Sequence, residues 1–174
     1  EYFEKLDYVF SLISECETGR NVDDLLEGPV CHAGFKRLNW LFILNIVFRV
    51  DASVRIGSGH VMRCVALAQA WKKQGGKVTF ISLCDSESLR NRITDEGFEL
   101  VLIKESYPDP ADFEITLSTI NNSNSNNSWV VLDGYHFDAD YQQSIKNNGN
   151  PLLVIDDLGH LDNYVADIIL NQNI

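Results

Sequence analysis

The chain has 174 residues, 45% of them hydrophobic and 22% charged. That is enough for one domain with a buried core, or one domain plus an appendage, and it excludes wholesale disorder. Twenty-five acids against fourteen bases give a formal charge of −11. Such a surface lacks the phosphate-neutralising charge of a nucleic-acid binder and is repelled by anionic membranes.

Residues 1–44 read as an appendage and junction. Tyr2, Phe3, Leu6, Val9, Phe10 and Ile13 recur at helical spacing, with Gly19 as a stop. A shorter helical piece is expected over Val22 to Leu26, closed by Gly28 and Pro29. The longest apolar run begins at Trp40, is interrupted by Asn45 and ends at Arg49, too short to cross a bilayer. No signal peptide is visible. Cys16, Cys31, Cys64 and Cys84 are widely spaced, with no CxxC and no finger-like pairing with histidine. Reduced thiols in a soluble cytoplasmic protein are therefore expected, rather than a zinc site or a disulfide framework. The chain begins at Glu1 instead of Met, which points to a fragment.

From Asn45 onward strands and helices alternate. Ile46–Val50 is a compact β-branched run suited to a buried parallel strand. Gly57 and Gly59 form a turn, and Val61, Cys64, Val65, Leu67, Ala68 and Trp71 trace a helical stripe ending at Gly75 and Gly76. Further strands are expected at 77–83, 98–103, 129–132, 152–155 and 167–170, with helices at 87–96, 112–120 and 138–147. The Asn/Ser tract 121–128 reads as a surface loop. This alternation predicts an α/β, Rossmann-like, doubly wound parallel sheet. A sheet that stops at Ile174 without a closing helix looks like the first half of something larger.

Ligands of such sheets gather beyond the carboxyl ends of the strands. Three polar groups fall there: Arg49 and Asp51 through Arg63, Asp133 through His136, and Asp156 with Asp157. In Gly57-Ser58-Gly59-His60, two glycines permit close backbone approach and lead into a helix whose free N–H groups attract anions. The helix N-terminus favours a neutral imidazole, so His60 is a candidate general base. A tight turn with a packed histidine accounts for the same residues. The stretch is not a dinucleotide fingerprint, because Met62 occupies the third glycine position, nor a Walker loop. Arg49 and Arg63 suit phosphate or carboxylate. A simpler reading puts Arg63 on the solvent side of its helix and pairs Arg49 with Asp51. Asp133 and the two adjacent acids can orient donors or cap loops, but form no convincing metal set. Tyr135 offers a hydroxyl and a flat face, while His136 and His160 read as structural or solvent-facing.

Phe48-Arg49-Val50-Asp51-Ala52-Ser53 followed by Ile56-Gly57-Ser58-Gly59-His60-Val61-Met62-Arg63-Cys64-Val65-Ala66-Leu67-Ala68 resembles the N-terminal signature of the PseG/SpsG family. Val131 to Tyr135, Ile155 to Asp157 and Asp167 to Asn173 fit that family in the same order, so the resemblance covers about residues 45–174. It implies the N-terminal half of a GT-B-like enzyme of pseudaminic acid biosynthesis. Such an enzyme hydrolyses UDP-2,4-diacetamido-2,4,6-trideoxy-β-L-altropyranose by attack of water at the anomeric carbon, with inversion and loss of UDP, and needs no metal or cofactor. The resemblance makes His60 the catalytic base and places Tyr135 near the sugar. The expected substrate-binding set is Asp51, Gly57, Ser58, Gly59, Arg63, Asp133, Tyr135 and Asp156. The partner is a small-molecule nucleotide sugar. Because the family holds its nucleotide mainly through a second domain, the isolated chain is expected to be nearly inactive. A GT-B glycosyltransferase domain and a noncatalytic remnant are the alternatives. Residues 1–39, through the stretch Val22 to Asn39, resemble the tail of a glutamate-1-semialdehyde-type aminotransferase, too short to carry its activity.

Overall fold

The computed structural model describes residues 45–53, 56–122 and 128–171. The helices expected within residues 1–44 lie outside them. The six strands are β1 (Asn45–Val50), β2 (Lys77–Ser82), β3 (Glu99–Leu102), β4 (Trp129–Asp133), β5 (Leu152–Ile155) and β6 (Ile168–Leu170). They form one sheet in the order β3-β2-β1-β4-β5-β6, with every neighbouring pair parallel. Four helices, α1 (Gly59–Lys73), α2 (Glu87–Asp95), α3 (Pro110–Asn122) and α4 (Ala139–Asn147), connect the strands as far as β5. Right-handed crossovers leading outward from β1 in both directions place α1 and α2 on one face and α3 and α4 on the other. This is a Rossmann-like α/β fold.

Strand alternation assigns each β1 side chain to a face. Ile46, Phe48 and Val50 point one way, Val47 and Arg49 the other. Register extends both rows across the sheet: Phe48 aligns with Phe80 and Val131, Arg49 with Ile81 and Leu132, Val50 with Asp133. Against the first face α1 buries Val61, Cys64, Val65, Leu67, Ala68 and Trp71, while the rings of Phe48 and Phe80 stack 4.8 Å apart. Against the second, Val47, Val130 and Leu132 meet Ile120 of α3 and Ile145 of α4. Each such aliphatic side chain contributes about 1.5–3 kcal/mol by leaving water. With both faces covered, β1 and β4 are buried along their whole length, which is why they read as largely apolar runs, with Asn45, Arg49 and Asp133 as buried polar exceptions.

The connections follow from local chemistry. Lys72 and Lys73 complement the carboxyl end of α1. Gly75 turns the chain at φ +90°, and a Cβ on Gly76 would lie 2.1 Å from Trp71 Nε1, so the indole needs the bare glycine. Ser86 caps α2 and Asp138 caps α4 through backbone N–H groups. Most boundaries differ from expectation by at most one residue, and α3 differs by two at each end. Helix α3 starts at Pro110, whose fixed φ suits a first helical residue, and runs to Asn122, two residues into the tract expected as loop. Strand β4 continues through Asp133 because that residue still pairs with Val50 and Ile155.

Candidate active site

β1 and β4 are neighbours whose chains depart in opposite directions, to α1 on one face and α4 on the other. A crevice therefore opens at their carboxyl ends. The loop after β1 enters it through Gly57 at φ +81°, a left-handed conformation that a Cβ would strain. Gly57 N–H donates to the Ser53 carbonyl at 2.8 Å. Ser58 caps α1 without using its hydroxyl, and a Cβ on Gly59 would meet nothing within 4 Å. The backbone at the start of α1 is therefore left open at this point.

His60 and Arg63, three residues apart in α1, share a helix face that looks onto Asp133, the buried last residue of β4. His60 Nδ1 lies 2.5 Å from Asp133 Oδ1. Arg63 Nε donates to Oδ2 at 2.5 Å, and Arg63 Nη2 also reaches Oδ1. Cys64 Sγ donates to Oδ2 at 3.4 Å. A carboxylate with four such neighbours has its lone pairs spent. It anchors the other residues and has none left over for a ligand.

The tautomer of His60 follows from the same contacts. Arg63 Nη2 is also 2.9 Å from His60 Nδ1, but a bare Nδ1 would face the Asp133 oxygen lone pair to lone pair. The proton therefore sits on Nδ1, donated to Asp133, and Nε2 keeps its lone pair. The side chain retains 13% exposure. Burial works against the Arg63 charge, but Asp133 outweighs it and raises the guanidinium above its ordinary value. Burial, reinforced by Asp133, pushes the Cys64 thiol well up, so Cys64 stays a protonated donor.

Tyr135 and Asp157 complete the rim. The Tyr135 ring lies edge-on to His60, centroids 5.2 Å apart, and its hydroxyl donates to Asp157 Oδ1. Asp157 Oδ2 faces Arg63 Nη1 at 3.3 Å. The phenol holds the Asp157 carboxyl below its usual range, with Arg63 adding to the effect. The same hydrogen bond raises the phenol. One chain of contacts thus joins α1, β4 and the loop after β5.

Asp51 and Asp156 are not brought to His60. Asp51 follows the alternation of Arg49 onto the α3–α4 face. There, buried Arg49 pairs with Asp51 and Asp112, and Asp51 also accepts from Leu83 N–H at 2.8 Å and Ser106 Oγ at 2.5 Å. His136 Nε2 stands 3.2 Å from Asp51. Burial would raise Asp51, but the His136 and Arg49 contacts outweigh it and hold it low. Asp156 builds the loop after β5, accepting from the backbone N–H groups of Leu158, Gly159 and His160 at 2.9–3.1 Å. His160 Nδ1 lies 2.7 Å away, and Tyr164 adds its hydroxyl.

The expected Arg49–Asp51 pair is present, extended by Asp112. The simpler reading of Arg63 is overturned: it lies against Asp133, because a guanidinium at that helix position reaches the carboxylate at the tip of β4. Asp157 was named with Asp156 among the strand-end polar groups but stood outside the expected substrate-binding set. Adjacent carboxylates on an extended segment point opposite ways, and sequence alone does not say which of Asp156 and Asp157 faces the crevice. Among the described residues no group of three or more His, Cys, Asp or Glu is placed to hold a metal ion, and no helix is long and apolar enough to cross a membrane.

No protein-family model matches the chain, and no solved structure matches it. It is similar to the uncharacterized protein MJ1062 of Methanocaldococcus jannaschii, 25% identical over 129 residues, which are 74% of this chain and 25% of that protein. The chain therefore spans about a quarter of the curated relative it matches.

Proposed function

We propose that the chain carries the sugar-side, catalytic half of a GT-B-like nucleotide-sugar hydrolase of the PseG/SpsG kind. The observation that carries this reading is the His60–Asp133 hydrogen bond. It leaves Nε2 as a fixed, partly exposed base beside an open glycine turn, at the sheet's switch point. Water held by Nε2 attacks the anomeric carbon of a UDP-diacetamido sugar. The C1–O bond breaks with its electron pair leaving on the diphosphate, and the water proton passes to Nε2. The imidazolium so formed is stabilised by Asp133 through Nδ1–H. A diphosphate leaves readily, so no general acid is demanded. The acidic chain, with free thiols at Cys64 and Cys84, fits a reducing cytoplasm.

Turnover in isotopically labelled water tests this. The label is expected on the sugar product and not on UDP, with a loss of about 100-fold or more in His60→Gln. Label in UDP would mean attack at phosphorus, and unchanged turnover in His60→Gln would remove the base; either result rejects the reading.

A further inference from the structure

Across Tyr135 from His60 stands a second carboxylate-backed imidazole. His160 Nδ1 is bound to Asp156 Oδ2 at 2.7 Å. That carboxylate is itself buried and fully engaged, so Nδ1 carries the proton and Nε2 the lone pair. Yet Nε2 is buried, and no donor among the described residues reaches it. A buried acceptor without a donor is costly, and folds seldom leave one without reason.

Two rings pack edge-on against His160: Tyr164 at 6.2 Å and Tyr135 at 5.4 Å between centroids. Tyr164 is tied down, its hydroxyl donating to Asp156 and accepting from Leu161 N–H. Tyr135 is 40% exposed, and its hydroxyl is bound to Asp157 on the rim. It is the more exposed of the two rings. The same phenol separates the two imidazoles, at 5.2 Å from His60 and 5.4 Å from His160. A sugar ring with its substituents has the size to replace it.

We infer that His160 Nε2 is a ligand-binding acceptor, uncovered when Tyr135 swings aside, which takes a hydrogen bond from a hydroxyl or amide N–H of the sugar held at His60. The inference rests on the nucleotide-sugar reading of the His60 site and adds to it a second contact that sets which substituents are accepted. His160 touches the ring substituents and takes no part in the bond change.

Nuclear magnetic resonance of isotope-labelled histidine in the full chain, titrated with the UDP-diacetamido sugar, reads both imidazoles directly. The expected result is movement of both Nε2 signals while both Nδ1 protons stay in place. His160→Leu is expected to weaken binding about tenfold, the worth of one hydrogen bond, while His60 still responds. His160→Gln, which can present an amide oxygen, is expected to recover part of the loss. Movement of His60 alone overturns this inference and leaves the function standing. Movement of neither overturns both. Should His160→Leu fail to fold, the wild-type titration still decides.

Discussion

Replacing Asp133 by Asn tests the site at its anchor. Asn is nearly isosteric but uncharged, and its amide nitrogen is a donor placed among donors: Arg63 Nε, Arg63 Nη2, His60 Nδ1 and Cys64 Sγ surround the native carboxylate. Arg63 is left with 10% side-chain exposure, the longer Asp157 contact at 3.3 Å and the His60 Nδ1 contact at 2.9 Å. Removing one partner of a buried pair costs about 3–5 kcal/mol. The residual acceptor oxygen and the Asp157 contact place this case at the lower end, about 3 kcal/mol. For a domain of this size that lowers the melting temperature by roughly 6–12 °C. The substitution also reverses the imidazole: an Asn N–H facing Nδ1 makes Nδ1 the acceptor and moves the proton to Nε2, so the base is lost. Chemical denaturation measures the first effect and the nitrogen shifts of His60 the second. A loss below about 1 kcal/mol, or a His60 that keeps its proton on Nδ1, would refute the assignment of Asp133 as the anchor.

Acid is expected to unfold the domain partly through Asp51 and Asp156, both held below their ordinary values. Their stabilisation is complete above the unfolded carboxylate value and is lost as pH falls through the folded one, because the unfolded chain takes up more protons in between. A stability–pH curve of Asp51→Asn should therefore show a shallower acid limb; an unchanged slope contradicts the low folded value. The two glycines of the turn should separate on denaturation. Gly57→Ala is expected to cost about 1–2 kcal/mol for its left-handed backbone, whereas Gly59→Ala, with open space and ordinary φ, should stay within about 0.5 kcal/mol and weaken ligand binding only. Equal losses of stability would show that Gly59 is also structural. Gly76→Ala drives a methyl into the Trp71 indole and is expected to cost about 1–3 kcal/mol, with a change in tryptophan emission; a silent substitution would mean that the ring has another place to go.

The order of elements could be read from the chain because each carries its own local signal. Apart from Arg49, Ile46–Val50 and Trp129–Leu132 are apolar on both faces, as suits strands covered by helices on each side. The α1 stripe from Val61 to Trp71 has a helical period and ends on glycines. His60 could be picked out for a similar reason, since two glycines before a helix make a local pattern. What surrounds His60 could not. Asp133 lies 73 residues away in sequence and meets His60 only because β1 and β4 pair in one register, which turns Asp133 toward α1 and Arg49 toward α3. That same alternation took Asp51 away from the crevice and buried it with Asp112. It was the turn after β5 that gave the crevice Asp157 and left Asp156 to build the loop and hold His160. Composition and periodicity determine which segments are strands and helices, because those are properties of neighbouring residues. Which carboxylate backs which imidazole is settled by strand register and sheet face, which exist only once the sheet has formed.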